Sequence, residues 1–532
     1  MGRTPLFRKL VLALQTARRE ILSSENLPLP LPRNVSNWSR RKFIKSTAVT
    51  SAAGLVSGCL SFPKAVQALP NKPVIAIIGA GIAGLNAAYR LKKAGHSAVV
   101  YEARSRIGGR MNSVDMGNGL IVDIGAELIN TDHADMLELV EEFGIELFNR
   151  KDDQASLSYP LSAYFFNGFS ITESQLAGDL RAIAEQMTTD AALLDQDWDT
   201  FAPQFDKLSV KDYLELHADK IGKPYLYALF RDVIHTEFGV EPEQSSAIQF
   251  ILVLPVIDGK AVDLLSYSDE TYSVVGGSAK ITDALGADLA GQIQLSKKLI
   301  EIKRHAKKFK LEFSDHSIVF ADLVIIAIPF PVLDKVKINA PLPKLLRRFI
   351  KEAELGSNEK VIAGFSKRFW RQANGFTDAA WSDLGFSEVW DETQRQSDRQ
   401  DGALNFFLGG DQARSLGSRQ EAIKLGKQFI ARLNHFIPGA TSSSTGQILN
   451  SAWTLSPLTT GGYANYKPGQ LTRFGGLFWV ESDIPDESQQ VNVGNLILAG
   501  EHLSDAFYGF MNGAAQTGRL AADLVLEKIA VS

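Results

Sequence analysis

The stretch Val74–Arg110, V-I-A-I-I-G-A-G-I-A-G-L-N-A-A-Y-R-L-K-K-A-G-H-S-A-V-V-Y-E-A-R-S-R-I-G-G-R, decides the fold. An apolar, β-branched run from Val74 to Ile78 feeds Gly79, Gly81 and Gly84, a helical stretch follows, and a second apolar run ends on Glu102. This strand-turn-helix-strand order is the context that makes a glycine triplet a dinucleotide site rather than a coincidence. The three glycines act differently. Gly79 turns the strand sharply, Gly81 lets backbone amides approach a pyrophosphate, and Gly84 lets the helix pack closely on the sheet. The pyrophosphate then rests on the helix N-terminus beside Ala83. Glu102 stands 18 residues after Gly84, close to the ~20 expected of the acid that accepts both ribose hydroxyls, and an acid there disfavours a 2′-phosphate. These residues alone leave NAD and FAD both open.

Ala103 and the following R-S-R-I-G-G-R, Arg104 to Arg110, narrow that choice. The run resembles the R-x-G-G-R extension behind the ribose acid in the flavin-containing amine oxidase family, of the monoamine oxidase and L-amino-acid oxidase type. There the two glycines, here Gly108 and Gly109, bring main chain beside the phosphates, and the arginine, here Arg110, neutralises charge. The resemblance implies FAD as the cofactor. It also implies a Rossmann-like α/β FAD-binding domain interleaved with an α+β substrate-binding domain.

With 532 residues the chain exceeds the ~250–300 at which one hydrophobic core stops growing, so more than one domain is expected. A formal charge of −4 with scattered Lys and Arg leaves no electrostatic footprint for nucleic acid. Ser39-Arg40-Arg41-Lys42-Phe43-Ile44-Lys45 precedes a small-residue run to Leu60 and reads as a twin-arginine export signal, which predicts a periplasmic or membrane-associated protein. Val66-Gln67-Ala68 offers a cleavage site, whereas Val56-Ser57-Gly58-Cys59 resembles a lipobox, with Cys59 a candidate lipid anchor. Phe7 to Leu22 has the spacing of a short amphipathic helix that could also meet a membrane. Cys59 is the only cysteine, so the chain beyond it has no thiol for a disulfide, a cysteine metal site or a covalent flavin link. FAD is therefore expected to be non-covalent, and no metal site is expected among the eight scattered histidines.

Alternation of pattern along the chain places residues 1–70 in the leader. The FAD-binding domain is read in 71–150, 271–340 and 491–532, and the substrate domain in 151–270 and 341–490. Gly117 to Gly125 reads as a hairpin arm, and Ile183 to Leu194 and Val210 to Leu229 as helices. A helix over Ala279 to Leu289 leads to strands Lys298 to Arg304, Lys308 to Phe313 and the apolar run Leu323 to Ile328, which suits a parallel strand buried on both faces. Leu299 in the first of these strands is assigned to the cofactor.

Several separated segments extend the resemblance over most of the chain beyond the leader. Gly125-Ala126-Glu127 matches the step at which main chain passes the isoalloxazine. Gly500-Glu501-His502, then Gly509-Phe510-Met511-Asn512-Gly513-Ala514, resembles the closing motif whose helix N-terminus faces the pyrimidine end of the ring. Lys360 lies in G-S-N-E-K-V-I, followed by F-S-K-R-F-W, and resembles the lysine that holds a water against the flavin's reactive nitrogen. Read from the residues alone, a lysine in an apolar strand is either exposed or paired beside a cofactor. Trp453, Tyr463 and Phe510 fall in W-T-L, G-G-Y and G-F-M-N-G-A and correspond to aromatic rings that frame the amine in the family; Phe510 stands where monoamine oxidases commonly have tyrosine.

The resemblance implies oxidative deamination of a primary amine, an L-amino acid first and a polyamine or monoamine second, by hydride transfer to flavin with O2 or a quinone as final acceptor. Leu128 follows Gly125-Ala126-Glu127 where several L-amino-acid oxidases carry an arginine, which weakens a simple amino-acid reading. Glu127 and Asp505 are instead candidates to read a cationic tail. A homo-oligomer is expected. A flavoprotein scaffold without catalysis, a quinone-linked dehydrogenase and a carotenoid or porphyrin desaturase are the competing readings.

Overall fold

A computed structural model describes residue 70 and residues 72–531, apart from 118, 254, 266, 267 and 484. The twin-arginine segment, Cys59 and the helix expected at Phe7 to Leu22 lie outside the described residues. Among those described, no helix is long and apolar enough to cross a membrane, and no group of His, Cys, Asp and Glu is placed to hold a metal ion.

The opening stretch forms strand Ile75–Ile78, helix Ile82–Lys93 and strand Ala98–Tyr101. They belong to a six-stranded sheet in the order Ile293–Gln294, Ala98–Tyr101, Ile75–Ile78, Leu323–Ile326, Leu496–Leu498, Asn492–Val493. All its pairings are parallel except the last. Ile75–Ile78 and Leu323–Ile326 are buried at every position, as expected of parallel strands covered on both faces. Helix Met511–Ala530 packs against Ile82–Lys93 so closely that a Cβ on Gly518 would lie 2.2 Å from the Ala83 carbonyl oxygen. The fold is thus α/β, and its nucleotide sheet is assembled from both ends and the middle of the chain.

The second body is a mixed seven-stranded sheet ordered Ser444–Asn450, Asn358–Phe365, Gly402–Gly409, Glu388–Asp391, Ala379–Ser382, Ser162–Phe166, Phe169–Ile171. Helices Glu173–Gln196, Trp198–Asp206, Val210–Leu216, Pro224–Phe238 and Ala247–Val253 accompany it. One helix was expected over Val210 to Leu229, and two are found. The chain breaks around His217 to Lys223 because Pro224 lacks an N–H and can only start a new helix at its first turn. One face of the sheet, including Val361, Phe406, Val389 and Ala380, packs in an apolar core of its own. Period-two alternation therefore turns Lys360, Phe407, Glu388 and Trp390 to the other face, toward the nucleotide domain.

Candidate functional site

A cavity of about 530 Å³ runs from the first glycine turn to this face of the mixed sheet. Of the residues assigned from the sequence to the cofactor or to catalysis, all line it except Gly84. That exception has a steric reason: a Cβ at Gly84 would lie 2.0 Å from the Gly79 carbonyl oxygen, so this glycine serves helix packing. Gly79 has φ +106°, and its Cβ would meet the Ala327 carbonyl at 2.6 Å. Gly81, by contrast, opens on space; the nearest atom to its Cβ would be Gly109 Cα at 4.0 Å.

The nucleotide end is built to receive an anion and a diol. Helix Ile82–Lys93 starts from Gly81 and helix Met511–Ala530 from Phe510, neither with a side-chain cap, so their first N–H groups remain free to meet a ligand in the cavity. Glu102 is buried; one carboxylate oxygen accepts the Ala80 N–H at 2.8 Å and the other the Arg104 N–H at 2.8 Å. Each oxygen keeps a lone pair for a ribose hydroxyl. His502 lines the same cavity with both ring nitrogens buried and unpartnered by protein, and burial holds it neutral, down to about 4. Open Gly81, the uncapped helices, Glu102 and the orphaned imidazole together fit FAD.

Glu501 ties its own closing motif to Arg110 and to the segment that follows G-G-Y. One oxygen accepts from the Arg110 guanidinium at 2.9 Å; the other accepts the N–H groups of Gly509 at 2.8 Å and Ala464 at 3.4 Å. Arg110 also donates to the Gly462 carbonyl. Of the three expected aromatic residues, Tyr463 donates its hydroxyl to the Thr236 carbonyl, Trp453 donates its indole N–H to the Ile124 carbonyl at 2.8 Å, and Phe510 packs edge-on to His133 at 5.1 Å.

Lys360 is buried within a charged group that joins the two bodies. Its Nζ donates to the Asp123 carbonyl at 2.8 Å, Glu127 Oε2 at 2.8 Å and Glu392 Oε2 at 3.1 Å, while the Trp390 ring lies 5.3 Å away. Glu127 also accepts from Trp390 Nε1 at 3.2 Å and from Arg395 at 3.4 Å, and Arg395 pairs with Asp123 at 3.0 Å. Burial would raise the Glu127 carboxyl, but Lys360 and Arg395 outweigh it and hold it low. Burial, and then the Glu127 carboxylate, push Glu392 well up.

The far wall of the cavity is acidic. Register sets Lys360, Phe407 and Glu388 side by side across three strands, and Glu237 and Glu270 reach the cavity from helix Pro224–Phe238 and from the turn before strand Tyr272–Val274. Glu270 is held at φ +44°, a conformation side chains rarely adopt. Burial and then mutual repulsion push Glu237 to about 8 and Glu388 well above the ordinary range; for Glu270, burial outweighs Arg150 and leaves it at about 7. Arg150, the buried cation there, is engaged by Gln394 at 3.0 Å, the Glu270 carbonyl at 2.9 Å and Asp378 at 2.9 Å.

The sequence reading missed this wall. It placed the tail-reading acids at Glu127, which is clamped by Lys360, and at Asp505, which is buried, does not line the cavity and donates its N–H to the Trp479 carbonyl at 3.3 Å. The alternation Glu388, Trp390, Glu392 in E-V-W-D-E was the available signal: a charged and aromatic stripe at the spacing of one strand face.

A family model described as flavin containing amine oxidoreductase matches residues 82–526. The chain belongs to this family. Amine oxidase [flavin-containing] B of Mus musculus is 23% identical over 478 residues, 87% of each chain, and amine oxidase [flavin-containing] of Oncorhynchus mykiss is 24% identical over 471 residues, 85% of each. Among solved structures, putrescine oxidase bound to putrescine matches with TM-score 0.70 at 22% identity, covering 86% of this chain and 99% of that one. Cyclohexylamine oxidase from Brevibacterium oxydans matches with TM-score 0.71 at 22% identity, covering 86% of this chain and all of that one. As a flavin amine oxidase the protein uses FAD, and its cavity combines a glycine-lined end with a far wall lined by carboxyls.

Proposed function

We propose that this flavin amine oxidase deaminates a primary amine that carries a second cationic group, an aliphatic diamine or polyamine. The observation that carries this reading is the wall of Glu237, Glu270 and Glu388, opposed by one arginine whose guanidinium already serves three partners. Three carboxyls crowded into a cavity are an unfavourable arrangement unless a cation shares it, and a second ammonium relieves their repulsion. FAD supplies acceptance of a hydride from the carbon bearing the amine. The chain's own groups bind and orient: Tyr463, Phe510 and Trp453 wall off water, Glu501 ties the cofactor motifs, and the acidic wall sets which end of the substrate points inward. Arg150 favours a second reading, an L-amino acid, because its guanidinium keeps N–H capacity beyond those three bonds for a carboxylate. O2 or a quinone is the proposed final acceptor, and the Ser39 to Lys45 motif supports export by the twin-arginine route.

Anaerobic mixing of the holoenzyme with putrescine, L-lysine, L-leucine and a monoamine tests the reading through loss of flavin absorbance. Fast bleaching by the diamine is expected. Bleaching by L-leucine at an equal or greater rate would replace it with the amino-acid reading, and reoxidation by air against a quinone separates the acceptors.

A further inference from the structure

Two acids of the cavity wall belong to segments that one buried imidazole joins from behind. His235 lies in the last turn of helix Pro224–Phe238, two residues before Glu237, and is 2% exposed. Its Nδ1 shares a hydrogen bond with Ser387 Oγ at 3.1 Å, and Ser387 directly precedes Glu388, the first residue of strand Glu388–Asp391. Its Nε2 shares another with Glu241 Oε1 at 2.9 Å, in the turn after the helix. Burial would raise the Glu241 carboxyl, but His235 with the Asp411 N–H outweighs it and holds it down to about 2. Ser387 donates its hydroxyl to Gln412 Oε1 at 3.0 Å, and the His235 carbonyl accepts from Asn358 Nδ2 at 2.8 Å. Two glycines keep space for the residue: a Cβ would lie 2.1 Å from the His235 carbonyl oxygen at Gly409 and 3.0 Å from the ring at Gly410. None of His235, Ser387, Glu241 and Gln412 lines the cavity, so this network stands behind the wall rather than in it.

Glu237 and Glu388 repel when ionised, which pushes the helix end and the strand start apart. The bond from His235 to Ser387 opposes that separation. We propose that His235 is the positioning residue that holds Glu237 against Glu388 and so sets the acidic wall for a second substrate ammonium. It acts through the two glutamates, and the inference rests on the diamine reading of the wall. Of the two ring nitrogens, Nδ1 carries the effect, because only its partner adjoins the strand that bears Glu388. Glu241 follows the helix itself and orients the ring from the other side. Without the tie the carboxyls stand farther apart, which weakens a site for one ammonium and leaves Trp453, Phe510 and Glu501 in place.

An asparagine at 235 keeps a polar group near the Nδ1 position and a glutamine one near the Nε2 position, so H235N and H235Q separate the two bonds. The FAD-loaded variants, together with S387A, are compared with the wild type for kcat and KM on putrescine and on a monoamine. H235Q and S387A are expected to raise KM for putrescine about 3- to 10-fold, the loss of one buried hydrogen bond, with kcat and the monoamine KM near wild-type values. H235N should recover most of that rise. S387A removes only a hydroxyl, so it reads the tie even where H235Q fails to fold. Wild-type putrescine KM in S387A and in H235N, while E388Q raises it, would overturn the role of His235 and leave the diamine reading standing. An equal rise for both substrates in E388Q would remove the diamine reading, and this inference with it.

Discussion

The two ends of the cavity are built by different rules. The nucleotide end is centred on one contiguous stretch, joined by His502 and helix Met511–Ala530, and glycine placement is decisive in it: a strand, a tight turn and a helix cannot coexist there with side chains at Gly79 and Gly84. The acidic end comes from residues as far apart as Arg150 and Phe407, brought together by strand register and by a helix terminus. The first end is steric and tolerates almost no change. The second is electrostatic, and its acids can be exchanged singly with graded effects.

Variants at neighbouring glycines break the comparison hardest. G84V should abolish folding or destabilise by more than about 4 kcal/mol, since its Cβ would collide with main chain. G81A, whose Cβ meets open space, should keep apoprotein stability within about 1 kcal/mol while losing FAD, because the methyl group stands where the pyrophosphate approaches. Urea unfolding of the apoprotein beside flavin absorbance of the purified protein separates the two outcomes. Next comes E102A, which should weaken FAD binding by about 2–3 kcal/mol through loss of a charged acceptor, read by fluorescence titration.

At the acidic end, E388Q should raise KM for a diamine about tenfold or more, the equivalent of about 1.5–3 kcal/mol for a hydrogen bond to a charged group, and leave KM for a monoamine near the wild-type value. An equal rise for both substrates would mean that the wall does not read a second cation. The same wall makes a pH prediction. Glu237 and Glu270 stand at about 8 and about 7 in the fold against 4.5 for an ordinary glutamate, so the folded protein holds more protons than the unfolded chain between those values. Their contribution to stability is full below about 4.5 and is lost as pH rises through 7 and 8. Glu127, held low, acts only below that window. The apoprotein's melting temperature should therefore fall from pH 5.5 to 8.5, and the inhibition constant of a non-oxidisable bis-quaternary ammonium should tighten over the same interval. The smallest effect is expected at Y463F, which removes the hydroxyl bonded to the Thr236 carbonyl, at about 0.5–1.5 kcal/mol of stability by thermal melting.

Legibility followed the same division. The hairpin at Gly117 to Gly125 is present as strands Ser113–Asp115 and Ile121–Asp123, and the expected apolar strand at Leu323 is the buried parallel strand Leu323–Ile326. Turn chemistry and unbroken apolar runs are local properties, so they can be read one segment at a time. Glu388 stands in a charged and aromatic alternation on one strand, but Glu237 and Glu270 carry no such mark. Each is an unremarkable glutamate in its own segment, and its importance arises from what faces it.

The sequence by itself pointed to FAD and to the flavin amine oxidases, as the family match shows, and marked Val74 to Arg110 as the expected dinucleotide cradle, because those signals reside in glycine spacing and short motifs that act through their own backbone. Only the tertiary structure decided that Lys360 donates to Asp123, Glu127 and Glu392, and that the far wall of the cavity is acidic. Hydrogen-bond saturation and charge crowding depend on distance between segments, and that distance is set by register and packing.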